Sequence, residues 1–203
     1  MNYLAHLLLS GPDPEWQLGG FLGDFVKGPL TSEHLSRKHL HWTPKVIAGA
    51  QLHRRIDAHV DRHPQFQQSL QRLGPDLRRV GGIALDVMFD HFLATHWDEF
   101  HSQSLSDYSN DFYRLFRDRR TMFPEPADRF MSYAQQRQLL LGYRELAVVE
   151  KVLSGIAGRL RFATNLEQAF DRMQACYDLL EQDFHQLMPA LIEFSESQRE
   201  TAV

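Results

Sequence analysis

One cysteine in 203 residues, Cys176, removes two classes of chemistry at the outset. A lone thiol forms no intramolecular disulfide and no cysteine-rich zinc site, so a reduced, cytosolic setting is the simplest compartment. Cys176 lies in the helical pattern FDRMQACYDLL, which reads as a structural thiol rather than a nucleophile. Long apolar runs are also missing: no tract reaches the ~18 residues that a membrane span needs. The start, MNYLAHLLLSGPDPEW, has no basic residues ahead of its apolar patch and a histidine within it, so it fits a secretory signal poorly and the mature chain is expected to begin at Met1. Basic excess is lacking as well. Lys and Arg number 22 against 26 Asp and Glu, for a formal charge of −4, which argues against a general nucleic-acid binder.

Alternating runs of β-branched residues are scarce too, whereas 3.6-residue periodicity extends through nearly the whole chain. The expectation is an all-α, single-domain helical bundle over residues 1–203, since 43% apolar residues suffice for one core at this length. Breakers at Gly11-Pro12, Gly28-Pro29, Thr43-Pro44, His63-Pro64, Gly74-Pro75 and Pro124-Glu125-Pro126 divide it. Helices are expected near 2–10, 15–27, 44–61, 64–73, 76–100, 106–120, 127–135, 139–158 and 165–195, with SESQRETAV as a frayed tail.

Histidine is what the chain has in excess. Nine of its eleven lie at or before His96, which directs the search for chemistry to the first half. In Leu52-His53-Arg54-Arg55-Ile56-Asp57-Ala58-His59-Val60-Asp61, residues 53, 57 and 61 are four apart and share one helix face. An imidazole with two carboxylates suits a hard divalent ion such as Mn²⁺ or Mg²⁺. An exposed face laced with Arg–Asp pairs is the competing reading of the same spacing. In Ile83-Ala84-Leu85-Asp86-Val87-Met88-Phe89-Asp90-His91-Phe92-Leu93 the polar residues interrupt an apolar helix, so at least one acid must face the core. A buried carboxylate requires a cation, which either a metal or an arginine such as Arg54 or Arg55 would supply. His6, in Tyr3-Leu4-Ala5-His6-Leu7-Leu8, and Asp24, in Gly23-Asp24-Phe25-Val26-Lys27-Gly28, complete the set; taken alone, His6 reads more often as a core histidine with a backbone partner than as a ligand, and Asp24 reads as a cap or a salt-bridge acid. Gly19-Gly20-Phe21-Leu22-Gly23 is no phosphate loop, because no strand precedes it and the Lys-Ser/Thr pair is absent.

Four motifs in order, Met1-Asn2-Tyr3-Leu4-Ala5-His6-Leu7, Gly23-Asp24-Phe25-Val26-Lys27-Gly28, Leu52-His53-Arg54-Arg55-Ile56-Asp57 with Asp61, and Asp86-Val87-Met88-Phe89-Asp90-His91-Phe92-Leu93 with His96-Trp97, resemble the bacterial acyl-carrier-protein phosphodiesterases. The resemblance is strong over residues 1–98. Beyond them it rests on helical pattern and on pieces such as Val152-Leu153-Ser154-Gly155-Ile156-Ala157. It implies hydrolysis of 4′-phosphopantetheine from holo acyl carrier protein, Mn²⁺ as the metal, Mg²⁺ or another divalent ion as substitutes, and a distant likeness to the HD phosphohydrolases. This chain departs from the HD pattern in carrying Asp90-His91 where His-Asp is usual. On this reading the ligand pool is His6, Asp24, His53, Asp57, Asp86 and His91, with Asp61 and Asp90 as ligand, orienting group or general base. Arg54, Arg55 and Lys27 are candidates for phosphate oxygens, or else internal partners of the acids. The carrier is acidic, so Arg114, Arg117, Arg119 and Arg120 are candidates for docking it, against the alternative of a solvated face. No nucleic acid and no membrane are expected as partners. A nucleotide phosphohydrolase and a non-catalytic helical module stay open beside the phosphodiesterase.

Overall fold

The computed structural model describes residues 1–160 and 165–201, and among these there are thirteen α-helices and no strand. The first half contains α1 (Tyr3–Leu9), α2 (Pro14–Leu22), a 3₁₀ turn (Gly23–Phe25), α3 (Ser32–Ser36), α4 (Pro44–Val60), α5 (Pro64–Leu73), α6 (Gly81–Thr95) and α7 (Trp97–Phe100). The second half adds α8 (Leu105–Asp118), α9 (Glu125–Gln136), α10 (Leu139–Gly142), α11 (Leu146–Ala157), α12 (Leu166–Ala175) and α13 (Tyr177–Glu200). Proline at the first helical position and a capping side chain begin two of the site-bearing helices. Asp13 accepts from Glu15 N ahead of Pro14, and Thr43 from Val46 N ahead of Pro44.

The α2–α4 crossing sets the site's foundation. A Cβ on Gly19 would run into the Val46 carbonyl, and one on Gly49 into the Trp16 carbonyl, so both helices meet backbone to backbone only as glycine. Helix α6 is apolar nearly all round, with Ala84, Leu85, Val87, Met88, Phe89, Phe92 and Leu93 buried, which puts it in the middle of the bundle. Helices α5 and α13 are tied by buried Asp183, which accepts from Arg72 Nε at 2.8 Å and Ser69 Oγ at 2.9 Å.

Four helical spans differ from the periodicity, the first being 15–27, where α2 ends at Leu22 and a 3₁₀ turn follows at Gly23–Phe25. The expected 76–100 helix is preceded by a 3₁₀ turn at Pro75–Leu77 and ends in a separate α7. The 139–158 span breaks at Tyr143, whose carbonyl accepts from His91 Nδ1 at 2.7 Å while Arg144 Nε donates to the Ala94 carbonyl at 3.0 Å. These ties to α6 outweigh local helix propensity. The 165–195 span breaks at Cys176 (φ −122°, ψ 28°), which thus stands between two helices rather than inside one. In the expected tail, helix α13 continues to Glu200, because Arg199 donates to the Leu9 carbonyl and to Ser195 Oγ. Residues 202 and 203 of that tail lie outside the described part.

Candidate metal centre

The N-terminus of α1 is positioned from a distance. Asn2 caps it with no side-chain bond, and Asp90 of α6 does so instead, accepting from Leu4 N at 2.8 Å and Ala5 N at 3.0 Å. Asp90 is 0% exposed, and burial pushes its carboxyl up to about 7 even though those two N–H donors oppose the shift. Of the three roles expected for Asp90, ligand, orienting group or general base, this placement matches the orienting one, since the acid is sealed from solvent and holds the helix that carries His6.

His6 faces α4. Its Nε2 lies 3.0 Å from Asp57 Oδ1 and 3.2 Å from the Met1 carbonyl, and its ring stacks on His53 at 3.7 Å. On α4, the four-residue offset brings His53 Nε2 to 3.2 Å from Asp57 Oδ2, and Asp24 Oδ1 from the 3₁₀ turn approaches the same nitrogen at 3.2 Å. Gly23 makes that approach possible, since a Cβ there would enter the His53 ring. Asp86, one turn before Asp90, accepts from the Met1 amine at 2.8 Å, and the amine lies 3.6 Å from Asp57. Together Asp24, Asp57, Asp61 and Asp86 line a cleft of about 300 Å³.

His53 decides what this group can hold. Its Nδ1 is 2.7 Å from the Gly20 carbonyl, which can only accept, so Nδ1 carries the hydrogen. Nε2 is left facing two carboxylate oxygens, and a bare lone pair there would be repelled. Positive charge belongs at that point, as a proton or a metal ion. In the protonated case burial works against the charge, yet Asp24 and Asp57 outweigh it and hold His53 up to about 9. Burial, then the neighbouring His53, drives His6 down to about 4. Burial would raise the Asp57 carboxyl, but hydrogen bonds from His53 and His6 hold it far below the usual range. The metal alternative fits equally by size. Two neighbouring ligands about 2.1 Å from an octahedral ion stand about 3.0 Å apart, close to the separations seen here. Donor atoms of His6, His53 and Asp57 all lie within 4.8 Å of one another, a group able to hold a metal ion.

The other expected residues lie differently. Both ring nitrogens of His91 are engaged elsewhere, with the Tyr143 carbonyl at 2.7 Å and the Tyr177 hydroxyl at 2.9 Å, so it is no member of this group. Arg54 donates to the Gly28 and Val26 carbonyls at 2.7 and 2.6 Å and latches the loop after Asp24 instead of reaching the cleft. Arg55 donates to Gln198 Oε1 at 3.3 Å, and Lys27 is exposed on the latched loop. Arg114, Arg117 and Arg120 each have an acid beside them, Asp111, Asp118 and Asp128, and Arg119 is exposed with them. The Gly20 carbonyl, the Met1 backbone and Tyr143 were not foreseen as parts of the site's framework.

No described helix is long and apolar enough to cross a membrane. The family model described as "Acyl carrier protein phosphodiesterase" matches residues 1–191. A protein of that description from Escherichia coli O6:H1 (strain CFT073) is 32% identical over 200 residues, covering 95% of this chain and 96% of its own. Another, from Escherichia coli strain K12 / DH10B, is 34% identical over 197 residues with the same coverage. No solved structure matches the chain.

Proposed function

The chain belongs to the acyl carrier protein phosphodiesterase family, and from that premise we propose that it hydrolyses the phosphodiester joining 4′-phosphopantetheine to the serine of holo acyl carrier protein. His53 carries the reading: with Nδ1 committed to Gly20, its Nε2 points at two carboxylates and calls for a cation. Four aspartates lining one cleft would repel a phosphodiester, so the site accepts its substrate only once that negative charge is offset. His6, Asp24, His53 and Asp57 are the residues we assign to a divalent ion, Mn²⁺ first. Bound there, such an ion supplies charge that acidifies a water and neutralises phosphoryl oxygens.

The protein's own groups then divide the remaining work. Asp57 joins the two imidazoles through separate oxygens and keeps them in register. Gly20 fixes the His53 tautomer, as an outer hydrogen bond does for a ligating histidine. Asp90 acts as a positioning residue through α1. Asp61, exposed at the C-terminal cap of α4 and lining the cleft, is our choice for the acceptor of the proton from the attacking water. Asp86, beside it, is held by the Met1 amine. Water forms the new bond to phosphorus, the bond to the serine oxygen breaks, and that oxygen leaves with the proton that Asp61 took from the water. Products are apo carrier and 4′-phosphopantetheine. We keep Arg114, Arg117, Arg119 and Arg120 as the docking surface for the acidic carrier, and assign the protein to the cytoplasm, with no nucleic acid or membrane partner.

Purified protein given holo acyl carrier protein with Mn²⁺, and in parallel with chelator, tests this by mass spectrometry. The carrier should lose the mass of phosphopantetheine in the first sample only. Turnover of a nucleotide panel with the carrier left intact would overturn the assignment in favour of a nucleotide phosphohydrolase. No bound metal and no turnover would favour a non-catalytic module.

A further inference from the structure

A second cavity, of about 630 Å³, opens beside the acid cleft, and the two share Asn2 and Ile156 in their linings. Its walls are aromatic. Tyr3 packs on Phe130 at 4.5 Å between ring centres and on Phe25 at 6.2 Å, and buried Tyr143 binds the Asn2 amide through its hydroxyl at 2.8 Å. Helix α11 lines it with Lys151, Val152, Gly155 and Ile156, positions 0, 1, 4 and 5 of one helical stripe, and Arg159 follows in the turn just past the helix end. Nothing described in the cleft chemistry uses this space.

We propose that this cavity is the binding site for the pantetheine arm of the substrate, laid along Gly155 with its phosphate end in the acid cleft. The inference rests on the phosphodiesterase reading and extends it. Size suits the ligand, since pockets for molecules of this class run from about 300 to 1,000 Å³. Chemistry suits it as well: the arm is uncharged beyond its phosphate, with a dimethyl carbon and two amides, and it meets apolar rings with a few polar tips such as Asn2 and Tyr143. Continuity is the strongest point. A ligand whose phosphate sits among Asp24, Asp57, Asp61 and Asp86 has the aromatic cavity directly beside it, across Asn2 and Ile156. The exposed cations Lys151 and Arg159 at its mouth match the acidic carrier that follows the arm.

Gly155 offers a clean test, because a Cβ added there meets nothing within 4 Å, and replacing glycine by alanine in a helix interior favours folding. Pantetheine itself, which has no phosphate and so reads the cavity apart from the acid cleft, is titrated into the full chain by NMR in chelator. Tyr3, Gly155 and Ile156 amides should shift in the wild type, Gly155→Ala should bind within about twofold of it, and Gly155→Trp should raise Kd tenfold or more. Gly155→Leu takes its place if the tryptophan variant loses its helical circular dichroism. Equal pantetheine affinity in the filled variant, no binding by the wild type at millimolar concentration, or tighter binding of a medium-chain fatty acid than of pantetheine would overturn the proposal. Because pantetheine binding is read without turnover, loss of the phosphodiesterase reading would show separately, as an intact holo carrier.

Discussion

Asp90→Asn isolates the group that anchors α1, and its effect can be worked out beforehand. Asp90 is fully buried, with a folded pKa of about 7 against 3.8 as its ordinary value, raised chiefly by burial. An acid whose folded pKa lies above its unfolded one binds more protons when folded. Its contribution to stability is therefore intact below pH 4 and declines as pH rises through 7. The difference of about 3 units corresponds to roughly 4 kcal/mol in full, of which about 2–3 kcal/mol falls between pH 5 and pH 8. Asparagine keeps the shape and one accepting oxygen but does not titrate. Urea unfolding in chelator, followed by circular dichroism at pH 5, 6.5 and 8, should show the variant gaining on the wild type by about 2–3 kcal/mol across the series. His6 and His53 titrate in both proteins and cancel in the comparison. Parallel curves would refute the reasoning, and a variant that loses ground with rising pH would show that the Leu4 and Ala5 amides, not burial, govern the carboxylate.

Asp57→Asn replaces one of the two oxygens that join His6 to His53 with an NH2 group and removes the negative charge, and should lower turnover of holo carrier by at least the ~100-fold upper range of outer-residue changes. Mn²⁺ at 100 times Kd should stabilise the wild type by about 2.7 kcal/mol, roughly 5–10 °C in a thermal melt, and leave this variant's midpoint unmoved; full activity with an unchanged Mn²⁺ response would show the site misplaced. His53, held up to about 9 by its two carboxylates, is protonated at pH 7 in the metal-free protein, so Mn²⁺ loading should release about one proton. Calorimetry in buffers of differing ionisation enthalpy measures this, and zero release would show that His53 Nε2 carries no proton in the metal-free protein. Asp183→Leu strips Arg72 and Ser69 of their shared acceptor and should cost about 2–3 kcal/mol in urea unfolding without affecting the cleft; an unchanged midpoint would show that α5 and α13 do not depend on this tie.

What the sequence could disclose of the site follows from where the interactions are local. His53 and Asp57 converge because a helix brings residues four apart onto one face, a relation visible in the letters alone. The same rule shows that Asp86 and Asp90 share a face, yet it is silent on what each meets. Asp86 faces the cleft and the Met1 amine, whereas Asp90, one turn on, accepts from two backbone N–H groups. A buried acid announces that it needs a donor, and periodicity does not distinguish a metal or an arginine from the end of another helix. His91 follows the same logic: its neighbours are a carbonyl at the break after α10 and a hydroxyl at the start of α13, and neither break shows in the hydrophobic pattern because tertiary bonds create both. Arg54 and Gly155 reverse the lesson. The arginine looked made for phosphate and instead ties down a loop, while the glycine carried no chemical signal and lines the larger cavity. Residues that act through their side-chain chemistry within one helix are thus legible early. Those that act by the space they leave, or by the backbone they hold, become legible only once the helices are packed.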